Sequence, residues 1–234
     1  MRYENYVFDL YGTLVDIRTD EIYGSLWQKS ADYLAEKGVL ISAEELYSQY
    51  HVLVRKERDL RKDVEYPEVS VIRVFDQIFQ GKLNEDQLNE FAWYFRQQST
   101  SRLQLYDGVT ELLDMIRNAG KKVILLSNAQ RCFTVPELEK LDIKKYFDWI
   151  FISSDYGVSK PDKEFWTIML EKTGIDPKRT VMIGNDYYSD IYGAARMNVE
   201  GLYIHQDISP QNEPEFSCRA KIMDGDVRKI TEYL

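Results

Sequence analysis

The chain has 234 residues, of which 44% are hydrophobic and 29% charged, and its formal net charge is −9. That length suits one large domain or a core carrying a smaller insert. The acidic balance argues against nucleic acid or an anionic membrane as partner, while a locally cationic site can still take an anionic small molecule.

Cys132 and Cys218 have neither CxxC spacing nor a neighbouring His, which argues against zinc or a disulfide framework and for reduced thiols in the cytoplasm. No run approaches the roughly 18 apolar residues of a membrane span, and the first residues lack the apolar stretch of a signal peptide. Tyr6-Val7-Phe8 is a short apolar run ending at Asp9, followed by Gly12-Thr13, the pattern of a buried strand that opens into a tight loop. From about Asp20 to Leu103 the apolar spacing changes to three and four. Glu21–Lys37, Ala43–Leu60, Val69–Phe79 and Glu85–Arg102 read as helices, the first closed by Gly38. The most charged run of this stretch, Arg55–Lys62, fits a solvated helix face. Strand signals are nearly absent, so residues 18–103 are expected to form a helical insert within a body made of 1–17 and 104–234.

From Asp107 the pattern alternates. Asp107 is expected to N-cap a helix bearing Val109, Leu112, Leu113 and Ile116, closed by Gly120. Lys122–Leu126 reads as a strand, Pro136–Leu141 as a short helix, Trp149–Ser153 as a strand, and Glu164–Thr173 as a helix closed by Gly174. Thr180–Ile183 is a strand, Asp186–Met197 a helix and Leu202–Ile204 a strand. Asp207–Glu215 is a polar loop, and Asp224–Leu234 reads as a last helix. The alternation predicts an α/β fold: a Rossmann-like three-layer core with a parallel sheet, plus an inserted α-helical cap.

Ligands of such sheets bind at the carboxyl ends of strands. Asp9 ends the first strand, where a carboxylate can act as a nucleophile or simply cap the strand. Ser127-Asn128 follows the second, offering donors to an oxyanion or forming an ordinary turn. Lys160 precedes a helix begun by Pro161 and Asp162, a place where a cation is not the dipole-preferred charge. Asp186 and Asp190 lie four apart at a helix start, on one face, as metal ligands or as dipole partners. Oxygen donors of this kind suit Mg²⁺.

FDLYGTL, LLSN, the Lys of VSKP and IGNDYYSD, in that order, resemble the motifs of the haloacid dehalogenase superfamily. The similarity covers about residues 1–17 and 104–205, and the insert falls where that family places a helical cap. The resemblance implies a hydrolase in which Asp9 attacks the substrate and carries it covalently. Ser127 and Lys160 would hold the transferring group, with Gly12, Thr13 and Asn128 as substrate-binding neighbours. Asp9, the Tyr11 carbonyl and Asp186, together with Asp190 or Asn185, would bind Mg²⁺. A carboxylate attacking a phosphate dianion must overcome like-charge repulsion, which the metal and Lys160 would neutralise.

One position departs from the pattern. Phosphatases of that family carry an acid two residues after the nucleophile, and Tyr11 stands there instead. An ordinary Tyr titrates near 10, so it can donate a proton but is a poor base. Tyr at this place resembles the dehalogenases, whose halide leaves unprotonated and without metal, whereas Asp186 resembles the phosphatases. The expected activity is a Mg²⁺-dependent phosphatase acting on a small phosphorylated metabolite. The alternatives are a 2-haloacid dehalogenase, using Arg55, Arg58 or Arg61 as its anion receptor, and a catalytically silent binding protein on the same scaffold.

Overall fold

The computed structural model describes residues 1–22, 24–212 and 214–234. Tyr23, inside the first expected helix, and Glu213, inside the expected polar loop, lie outside the described residues. The sheet is built from β1 (Asn5–Phe8), β4 (Lys122–Ser127), β5 (Trp149–Ile152), β6 (Thr180–Gly184), β7 (Glu200–Ile204) and β8 (Ala220–Ile222). Its six strands run in the order β5-β4-β1-β6-β7-β8, every pair parallel.

The central strands are apolar throughout because both faces are covered. Alternate side chains enter different cores. Tyr6 and Phe8 of β1, Val123 and Leu125 of β4, and Val181 and Ile183 of β6 pack with α5 (Val109–Asn118). Val7, Ile124, Leu126 and Met182 pack on the other side with Phe165, Trp166 and Met169 of α7 (Lys163–Thr173). This is the three-layer α/β arrangement expected of the sequence. The chain leaves β1 for β4 on one side and returns to β6 on the other, so the carboxyl end of β1 lies at the switch point where such sheets bind ligands.

The insert supplies α1 (Ser25–Glu36), α2 (Ala43–Leu60), α3 (Val71–Phe79) and α4 (Glu85–Ser99). Ser42 and Ser70 cap α2 and α3, and Asn84 with Gln87 forms a capping box on α4. These helices bury their own cluster, which includes Trp27, Phe75, Phe79, Phe91 and Phe95. Phe133 of α6 (Arg131–Lys140) joins it from the sheet side. Among the described residues no helix is long and apolar enough to cross a membrane.

Several local expectations are corrected. The helix read over Glu85–Arg102 stops at Ser99, and Thr100–Leu105 forms β3, which pairs antiparallel with β2 (Val15–Thr19). Leu103 and Leu105 alternate with polar residues and pack with Ile17 on the core cluster, so burial on one face sets a period of two where a helical one was read. The helix read from Pro136 begins at Arg131, with Pro136 inside it and Gln130 as N-cap. Gly108, at φ 88°, caps α5 in place of Asp107. The segment after Asp186 winds as a π-helix over Tyr187–Tyr192, then as a short α8 (Gly193–Ala195). The last helix is a 3₁₀ helix over Val227–Tyr233, and β8 carried no sequence signal strong enough to be read.

Candidate active site

Asp9 leaves β1 with its N–H still bonded to the Ile183 carbonyl at 3.0 Å, which aims the carboxylate out of the sheet edge. The loop then turns at Gly12, whose φ of +81° is costly for any residue with a Cβ; a Cβ there would also collide with the Asn185 amide. Thr13 is buried and donates to Asn185 Oδ1 at 3.4 Å, and Asn185 Nδ2 donates to Ser209 Oγ at 3.3 Å. The loops after β1 and β6 are thereby fastened to each other.

Lys160 is 3% exposed and Asp9 8%. Lys160 Nζ donates to Asp9 Oδ1 at 2.8 Å and to Asp190 Oδ1 at 2.7 Å. The lysine main chain is held in turn by Asn128, whose Oδ1 accepts from Lys160 N at 2.8 Å and whose Nδ2 donates to Lys160 O at 2.9 Å. Asn128 therefore commits its amide to the lysine. Asp190 also accepts from Asp186 N at 3.1 Å, and Gly184 leaves room for it, because a Cβ there would collide with the Asp190 carboxyl. Burial draws the ammonium of Lys160 down, but Asp190 and Asp9 outweigh it and hold the lysine protonated. One ammonium faces two buried carboxylates, and burial pushes Asp190 up to about 7 against the pull of Lys160.

A cavity of 210 Å³ is lined by Asp9, Tyr11, Asn128, Asn185, Asp186, Ser189, Asp190, Ile208 and Pro210. Side chains from near the two ends of the chain thus face one space. Ser127 is buried at the end of β4, and neither it nor Gly12, Thr13 and Lys160 is among the lining residues. Among the described residues no three His, Cys, Asp or Glu side chains gather as a metal cluster. The donor set nevertheless fits a hard ion that keeps several waters. It comprises the second oxygen of Asp9, Asp186 with one oxygen bonded to Ser189 N, and the Asn185 amide oxygen. Asp190 fits least well, since Lys160 and Asp186 N already hold its oxygens.

A second cavity, of 340 Å³, lies between insert and sheet and shares Tyr11 and Asn128 with the first. Its charged lining residues are Glu21, Arg58, Glu68 and Arg96. Arg55 does not line it, and Arg61 is held by Asp63, Glu164 and the Tyr156 and Gly157 carbonyls. Glu68 accepts from Ser153 Oγ at 2.6 Å and Val69 N at 2.9 Å, while Gln130 donates to the Val69 carbonyl at 2.7 Å. These bonds seat the α2–α3 connection on the sheet.

The Tyr11 hydroxyl pairs with Thr134 Oγ1 at 3.0 Å and donates to Glu137 Oε2. Glu137 Oε1 accepts from Arg96 Nε of α4 at 2.6 Å. Sequence reasoning did not find Thr134, Glu137, Arg96, Glu21 or Gln130. The closest available signal was Gln130, two residues beyond Asn128. A Glu at a helical position carries no mark of its burial.

Residues 3–198 match the family of haloacid dehalogenase-like hydrolases. The chain belongs to that family. Over 198 residues this hydrolase is 26% identical to a phosphoglycolate phosphatase of Agrobacterium fabrum, a match spanning 85% of this chain and 78% of that protein. A HAD phosphatase from Thermococcus onnurineus superposes with a TM-score of 0.62 at 18% identity, covering 98% of this hydrolase and 96% of its own chain. A 2-haloacid dehalogenase from Pseudomonas syringae pv. Tomato does so with a TM-score of 0.61 at 19% identity, covering 99% and 97%. Structures this distant in sequence speak for the shared fold and leave the reaction open.

Proposed function

We propose that this hydrolase is a Mg²⁺-dependent phosphatase of small phosphomonoesters, with Asp9 as the nucleophile. The observation that carries the reading is Lys160, a buried ammonium 2.8 Å from Asp9 beside a cavity that Asp186 also lines. A carboxylate can approach a phosphate dianion only where positive charge offsets their repulsion. In this reading Asp9, the Tyr11 carbonyl, Asp186 and Asn185 would hold Mg²⁺, which supplies part of that charge. Lys160 supplies the rest, Asp190 and Asn128 keep it in place, and Ser127 serves the transferring phosphoryl group. Gly12 and Thr13 shape the loop that presents Asp9. Residues 18–103 act as a cap over a body of 1–17 and 104–234, and the enzyme works in the cytoplasm on a phosphorylated metabolite. Relatives named as phosphatases support the reaction class. Phosphate release from a panel of phosphomonoesters, measured with Mg²⁺ and with EDTA, tests it. Activity is expected to need the metal and to vanish in Asp9→Asn. Intact protein that turns over no phosphoester in the presence of Mg²⁺ overturns it.

Removal of halide from a small 2-halo acid is the second reading. Tyr11 favours it, and Arg58 and Arg96 in the adjoining cavity offer a carboxylate receptor. Halide release unaffected by EDTA would replace the phosphatase reading.

A further inference from the structure

We propose that the substrates are phosphoryl compounds with weakly basic leaving groups (acyl phosphates, aryl phosphates or phosphoanhydrides), because Tyr11, at the position of the leaving-group acid, directs its one hydroxyl proton to Glu137 and away from Asp9. The inference rests on the phosphatase reading above.

A phenol has a single proton to give. In Tyr11 that proton lies on the bond to Glu137 Oε2, with Thr134 Oγ1 on the other side of the oxygen. Arg96 Nε donates to the far oxygen of Glu137, which leaves Oε2 to accept from the tyrosine. The other carboxylates of the cavity at Asp9 are engaged elsewhere. Asp186 caps the following helix through Ser189 N, and Asp190 is held by Lys160. In the adjoining cavity Glu68 is bonded to Ser153 and Val69, which leaves Glu21 as the one carboxyl there without a hydrogen bond among the described residues.

The steps balance without a protein acid. An oxygen of Asp9 bonds to phosphorus as the bond from phosphorus to the leaving oxygen breaks, and the leaving group departs with the electron pair as an anion. Water then attacks the aspartyl phosphate, the bond from phosphorus to the Asp9 oxygen breaks, and the product is H₂PO₄⁻ with the Asp9 carboxylate restored. An alkoxide is too basic to leave readily in this way, whereas a carboxylate, a phenolate or a phosphate leaves without a proton.

The test is a series of substituted phenyl phosphates with acetyl phosphate at one end and glycerol 3-phosphate at the other, run with Mg²⁺ on the wild-type chain. Across leaving groups from pKa about 5 to about 15, kcat/KM is expected to fall by at least ~10³-fold. Tyr11→Asp, which restores a carboxyl two residues after Asp9, is expected to raise the alkyl rate by about 10-fold or more and flatten the series. A shallow wild-type series overturns the inference, and a series that turns steep only in Glu21→Gln would assign the proton to Glu21. Absence of turnover even with acetyl and 4-nitrophenyl phosphate instead removes the phosphatase reading on which the inference stands.

Discussion

Arg96 of α4 donates through Nε to Glu137 Oε1 of α6 at 2.6 Å, with the arginine side chain 11% and the glutamate 1% exposed. The same guanidinium lies 5.7 Å from the Tyr11 ring centroid and 5.1 Å from that of Phe133. The helical insert, the loop after β1 and α6 are therefore joined through one buried ion pair. Deleting the cation leaves a buried carboxylate with the Tyr11 hydroxyl as its one side-chain partner among the described residues. Arg96→Met is expected to lower unfolding stability by about 3 kcal/mol, with partial recovery when Glu137→Gln is added. Urea unfolding of the single and double variants checks both.

Lys160 stands between two carboxylates, and no other cation touches either of them among the described residues. In Lys160→Met these acids face each other uncompensated, and on the phosphatase reading part of the charge that would offset phosphate repulsion is lost. Phosphate release is expected to drop by about 10³-fold or more. Lys160→Arg is not expected to restore it, since a planar fork does not replace a compact ammonium in a closed site. Circular dichroism on the same samples separates lost chemistry from lost fold.

Gly184 is the last residue of β6, and the Asp190 carboxyl occupies the space a Cβ would fill. Gly184→Ala is expected to displace Asp190 from Lys160 and to cost about 1–3 kcal/mol of stability. Gly174→Ala is a useful contrast. Its φ of +67° strains the helix end, but nothing lies within 4 Å of the added carbon. It is expected to lose stability while keeping activity, whereas Gly184→Ala loses both. Thermal melts and phosphate release on the two variants distinguish them.

Burial pushes the Glu21 carboxyl above its ordinary value of 4.5, with Arg96 pulling the other way. A folded-state value above the unfolded one means that the folded chain prefers the protonated acid. Its contribution to stability is fully present below pH 4.5 and is lost as pH rises through the raised value. Relative to Glu21→Gln, the wild-type chain is therefore expected to lose stability as pH rises above 4.5. Melting temperatures of both proteins from pH 4 to about pH 8 check the sign. A difference that does not change with pH would mean Glu21 titrates as it does in the unfolded chain.

Much of this protein was decided within short stretches of sequence. Apolar runs such as Val181-Met182-Ile183 marked buried parallel strands, and the spacing of Phe75, Ile78 and Phe79 marked a helix face, because side-chain period is set locally by the backbone. Asp9 and Asp186 stood out as chemistry-bearing residues just beyond strand-like runs, and Lys160 as a cation just before a helix; strand ends converge by a general rule of α/β sheets. The β2–β3 ribbon, the partners of Tyr11 and the lining of the second cavity were decided only by the tertiary structure. Thr19 pairs with Thr100, Tyr11 meets Glu137, and Glu68 meets Ser153, across separations no local periodicity records. A glutamate on a helix reads the same whether it faces water or a buried tyrosine. Packing chooses between the two, and with it whether Tyr11 has a proton to offer.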